Sequence, residues 1–109
     1  MAYDEGLAQR VREVLDVRDD IGEKKMFGGL SFLLNGNMAV GVIGDELIVR
    51  VGPHDYEEAL AREHARAFDF TGRTMSGWVV VETEGLEEDE DLTEWVLRGV
   101  GFAGTLPEK

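Results

Sequence analysis

The amino-acid sequence predicts a two-layer α+β domain in the order α-βββ-α-ββ-α with an antiparallel sheet. Three observations carry that prediction. Short runs with alternating apolar side chains are separated by turn residues, both ends of the chain carry apolar residues at three- and four-residue steps, and the connections between runs suit hairpins. The 109 residues fit one domain, 1–109, with a single core, and a hydrophobic content of 43% including two Trp and five Phe supplies that core. Helices are needed to cover the sheet's apolar face, which makes two layers the economical packing.

Over residues 4–16, Leu7, Val11, Val14 and Leu15 share one side of a helix while Gln9, Arg12 and Glu13 point elsewhere. Arg18-Asp19-Asp20-Ile21-Gly22 has no period and reads as a connection. Three strands are predicted at residues 30–34, 38–43 and 47–51, with Leu30, Phe32 and Leu34, then Met38, Val40 and Val42, then Leu47, Val49 and Val51 each on one face. Asn35-Gly36-Asn37 and Gly44-Asp45-Glu46 supply the turns, so the three form a meander.

Gly52-Pro53 stops the third strand, and Pro53 suits the first turn of a short second helix carrying Tyr56, Ala59 and Leu60, with Glu58 and Arg62 spaced for a surface pair. A strand at residues 67–70, a turn at Thr71-Gly72-Arg73-Thr74 and the β-branched run Trp78-Val79-Val80-Val81 predict a further hairpin. The last helix follows Glu87-Glu88-Asp89-Glu90-Asp91, with Asp89 as its N-cap and Leu92, Trp95, Val96, Gly99, Val100 and Ala103 on its apolar face. Gly99 costs roughly 1 kcal/mol against Ala in a helix, which predicts close approach to the sheet there.

Composition excludes several function classes. With no cysteine there is no thiol nucleophile, zinc-thiolate site or iron–sulfur ligation, in keeping with a reducing compartment. Met1-Ala2-Tyr3-Asp4-Glu5-Gly6 lacks the basic start of a secretory signal, and no apolar run spans a bilayer, so the expected location is cytoplasmic, without membrane contact. A formal net charge of −12 repels nucleic acid and argues against direct binding to it.

No catalytic residue, cofactor or metal site is predicted. The two histidines, His54 and His64, stand in no metal-binding motif, and the run from Glu87 has Leu92 and Arg98 where a calcium loop needs Gly and Glu. Ser31 and Ser76 lie in no nucleophile motif, and the glycines around Gly28-Gly29 and 41–44 match neither a P-loop nor a dinucleotide fingerprint. What stands out is Glu23-Lys24-Lys25-Met26-Phe27-Gly28-Gly29, locally basic in an acidic chain, whose glycines let backbone bend or approach a partner. Lys24 and Lys25, if joined in space by Arg50 and Arg73, would receive an acidic partner or a small anion.

Lys24-Lys25-Met26-Phe27-Gly28-Gly29-Leu30, Asn35-Gly36-Asn37-Met38-Ala39 and Ile48-Val49-Arg50-Val51-Gly52-Pro53 resemble the N-terminal domain of the TfoX/Sxy competence regulators. The likeness continues through Asp69-Phe70-Thr71-Gly72-Arg73, Gly77-Trp78-Val79 and residues 92–107. It implies a secretion-chaperone-like α+β domain, often self-associating, in bacterial proteins linked to transcriptional control of DNA uptake, and it implies no catalytic residue. Those regulators carry a further helical domain, so this chain is expected to act as a stand-alone N-terminal-type domain.

The leading expectation is a non-enzymatic regulatory or adaptor domain, a homodimer working through contact with an unidentified protein. Its candidate surface is Lys24, Lys25, Met26, Phe27, Gly28, Gly29, Arg50, Arg73 and Trp78. The alternative is a small-anion-binding protein or enzyme using Lys25, Arg50 and Arg73, with Trp78 or Phe27 lining the site. A third is a domain that contacts only itself.

Overall fold

The computed structural model describes residues 3–26, 28–70 and 72–108. Asp4 starts the first helix, α1 (Glu5–Leu15), by accepting hydrogen bonds from the backbone N–H of Gly6 (2.8 Å) and Leu7 (3.3 Å). The helix buries Leu7, Val11 and Leu15 of the predicted stripe and Ala8 beside them, while Val14 is only partly buried at its margin. Four strands follow: β1 (Ile21–Met26), β2 (Gly29–Leu34), β3 (Asn37–Ile43) and β4 (Glu46–Arg50). Then come α2 (Tyr56–Leu60), β5 (Ala65–Phe70), β6 (Arg73–Val81), a 3-10 turn at Thr83–Leu86 and α3 (Asp89–Ala103). The six strands form one antiparallel sheet in the order β1-β2-β3-β4-β6-β5, so the two-layer α+β prediction holds.

The sheet has one strand more than the meander anticipated. The segment after Arg18-Asp19-Asp20, read from sequence as a connection, continues into β1, which pairs along its length with β2. Its sequence shows no apolar alternation because it is an edge strand, where charged side chains are tolerated and discourage unwanted pairing. Glu23, opposite Phe32, turns toward α1 and accepts two hydrogen bonds from Arg12 at 2.8 and 3.1 Å. The β2–β3 hairpin is the one its residues specify: Leu34 pairs with Asn37 across a two-residue loop in which Asn35 has φ 53° and Gly36 φ 83°.

Smaller departures have local causes. Pro53 precedes α2 instead of opening it, since the helix begins only at Tyr56 behind Asp55. Arg73 and Thr74, expected in a turn, pair with Phe70 and Asp69, which shortens the β5–β6 connection to residues 71–72. Asp89 is the first residue of α3 and Glu88 its cap position, without a side-chain cap bond, so the acids before α3 act on the helix dipole by charge.

All three helices send their buried residues into one cluster with Leu30, Phe32, Leu34, Val40, Val42, Leu47, Val49, Val79 and Val81. At Gly99 a Cβ would collide with the carbonyl oxygen of Ala39 and stand 2.6 Å from Val40 Cγ1, so the missing side chain is what seats α3 on β3. None of the described helices is long and apolar enough to cross a membrane.

Candidate functional site

Because the helices lie on one side, the other face of the sheet has no helical cover. A second, smaller cluster lies there: Met38, Ile48, Phe68 and Val80 are buried, with Leu33, Ile43, Met75 and Trp78 partly buried against them. Met38, expected on the face of Val40 and Val42, is turned to this side by the irregularity in the β2–β3 register, where Phe32 pairs with Val40 but Leu33 with Met38. A hollow of about 210 Å³ opens between Ile43, Ile48, Phe68 and Val80, with Glu46, Arg66 and Asp69 completing its lining. Arg66 bonds Glu46, which shares that lining, at 2.6 Å and reaches Glu82 outside it at 3.3 Å, so its single positive charge is divided between two carboxylates.

Arg50 is the unusual group. It stands directly opposite Trp78 in the β4–β6 ladder, and its guanidinium carbon lies 5.0 Å from the Trp78 ring centre and 5.6 Å from that of Phe102 on α3. Phe102 reaches it by lying over Gly52, where any Cβ would meet the ring. Two aromatic faces attract the cation and fix its plane. Arg10, Arg12, Arg18, Arg62, Arg66 and Arg98 all have carboxylate partners, whereas among the described residues Arg50 and the exposed Arg73 have none. Burial lowers the Arg50 pKa, the sign expected of a cation that has lost water without gaining a counter-ion. Its ring-held N–H groups are therefore poised for a carboxylate or another planar oxyanion.

The residues singled out by sequence do not assemble into one site. Lys24 and Lys25 are exposed on edge strand β1, where alternation turns them to opposite faces: Lys24 stands across from Ser31, and Lys25 across from the core residue Leu30. Arg50 is three strands away, about 14 Å at the usual strand spacing. Arg73 is exposed at the turn end of β6. Among the described residues of that set, Arg50 and Trp78 are the two whose side chains meet. Met26 closes the β1–β2 pairing opposite Gly29, and Phe27 lies outside the described residues. The two adjacent glycines have internal duties: Gly28 takes φ 76° in the turn, and a Cβ on Gly29 would strike the Val42 carbonyl.

A family model of the TfoX N-terminal domain matches residues 13–103. The chain belongs to the TfoX N-terminal domain family. No curated protein matches it.

Within this TfoX N-terminal domain, two groupings escaped the sequence. Phe102 gave no local signal, since its role depends on α3 ending beside β4. The other is His64, Glu82 and Glu84, whose ligand atoms lie within 4.8 Å of one another. They are 18 and 20 positions apart in the chain, and only the return of β6 beside β5 brings them together.

Proposed function

We propose that the chain is a non-enzymatic regulatory or adaptor module that acts by protein–protein contact through the helix-free face of its sheet. The observation that carries this reading is Arg50, set against the rings of Trp78 and Phe102 and without a carboxylate of its own among the described residues, with Trp78 in turn packed on the cluster of Ile48, Val80 and Phe68. Arginine and tryptophan at the centre of an apolar patch are the composition of an interface hot spot. The partner's chemistry follows by complementarity: an extended or helical segment with apolar side chains for the hollow and one carboxylate for Arg50. Family membership adds the regulatory part of the reading, an association with transcriptional control of competence.

The separation of Lys25, Arg50 and Arg73 works against a shared small-anion site, because no single anion of metabolite size bridges β1 and the end of β6. Selection of peptides from a random displayed library on the purified chain tests the proposal. Selected sequences are expected to combine apolar residues with Asp or Glu and to lose at least tenfold in affinity on Arg50→Gln or Ile48→Asp. Peptides that bind both variants as well as the parent chain would overturn it, as would a protein whose helix-free face is sealed by a second copy in sedimentation at working concentration.

A further inference from the structure

We propose that His64, Glu82 and Glu84 form a binding site for a divalent transition-metal ion of the zinc type, distinct from the docking hollow but linked to it through Arg66, which lines that hollow and reaches Glu82. One donor atom from each residue lies within 4.8 Å of the other two. A tetrahedral zinc ion with bonds of ~2.0–2.2 Å spaces its donors about 3.3 Å apart, so side-chain rotation closes the set without moving backbone. The frame is already fixed. The Glu82 N–H donates to the His64 carbonyl at 2.9 Å, and the Gly85 N–H to the Glu82 carbonyl at 2.8 Å. A Cβ at Gly85 would come within 2.8 Å of His64 Cβ, so the glycine leaves the histidine its place.

The imidazole distinguishes this notch from the acidic run at residues 87–91, which has no nitrogen donor. A mixed nitrogen and carboxylate set suits zinc, manganese, iron or nickel better than magnesium or calcium, which take oxygen ligands. Glu63 Oε2, 3.9 Å from His64 Nε2, offers a further carboxylate, and Glu84 has no ion-pair partner among the described residues. Arg66 competes for Glu82 at 3.3 Å but keeps its shorter bond to Glu46 when Glu82 turns away. The bound ion would join the α2–β5 connection to the 3-10 turn that leads into α3.

The test is calorimetric titration of EDTA-treated protein with Zn²⁺, repeated with Co²⁺ while the visible spectrum is recorded. We expect one equivalent of each ion and cobalt bands of a four- or five-coordinate site. His64→Asn, which tolerates the left-handed backbone at φ 69°, and Glu84→Gln, at an exposed position, should each weaken binding at least tenfold and abolish the zinc-induced rise in Tm. Glu90→Gln should leave all three readouts unchanged. Saturation absent below millimolar Zn²⁺, equal affinity in both variants, or Ca²⁺ binding as tightly as Zn²⁺ would each overturn the proposal.

Discussion

Arg50 illustrates how a partly buried cation is kept without a counter-ion. Each ring contact contributes about 0.5–2 kcal/mol, and the desolvation that lowers the Arg50 pKa opposes it. Arg50→Gln should therefore change stability by less than about 1 kcal/mol in urea melts while removing peptide binding; a large loss of stability would show that the guanidinium is structural. Arg62 and Glu94 make a different kind of pair. Arg62 donates to the Glu94 carboxylate at 3.1 and 3.3 Å and, by that hydrogen bond first, holds its pKa below the ordinary value. A carboxyl depressed in the folded state stabilises fully above its unfolded pKa of about 4.3, and the contribution disappears as pH falls through the lower folded value. Both side chains are more than a third exposed, which limits the contribution to about 1 kcal/mol or less. Glu94→Gln should accordingly cost no more than that at pH 7 and nothing near pH 2, read from Tm against pH.

At the scale of elements, the contact of α3 with β3 depends on one glycine. Gly99→Ala gains about 1 kcal/mol of helix propensity but forces a methyl group into the Ala39 carbonyl, and overpacking of this kind costs about 1–3 kcal/mol. The second effect should win, giving a lower urea midpoint; a stabilised variant would mean that α3 shifts freely on the sheet. This close approach was legible in the sequence because Gly99 falls on the apolar stripe of an otherwise regular helix. The β2–β3–β4 meander was legible because its apolar residues alternate and Asn35-Gly36 specifies its turn, but the register irregularity that turns Met38 to the other face left no such mark. Strand β1 was not, because pairing along a single edge leaves Glu23, Lys24 and Lys25 in water and erases the period that marks a strand. The candidate site was legible only in part. Arg50 and Trp78 were named from sequence, but their meeting comes from β6 crossing between β4 and β5, a pairing between strands far apart in the chain.

Across the whole molecule, the net charge of −12 is unevenly placed. The three helices and their flanks carry Glu5, Glu13, Asp55, Glu57, Glu58 and the run from Glu87 to Asp91, while on the helix-free face Glu46 and Asp69 line the hollow beside Ile48 and Val80, and Arg50 has no carboxylate partner among the described residues. That distribution keeps the helical side repulsive to nucleic acid and other acidic surfaces and leaves one face approachable. Duplex DNA should show no mobility shift with the chain at physiological salt, and a salt-sensitive shift would reveal a basic patch that this distribution lacks. The most direct test of the docking surface is the set of backbone-amide NMR shifts produced by titrating the tightest selected peptide into labelled protein. The changes are expected to gather on β4 and β6, at Ile48, Arg50, Trp78 with its indole N–H, and Val80. Changes confined to α1 and α3 would contradict this placement of the docking surface.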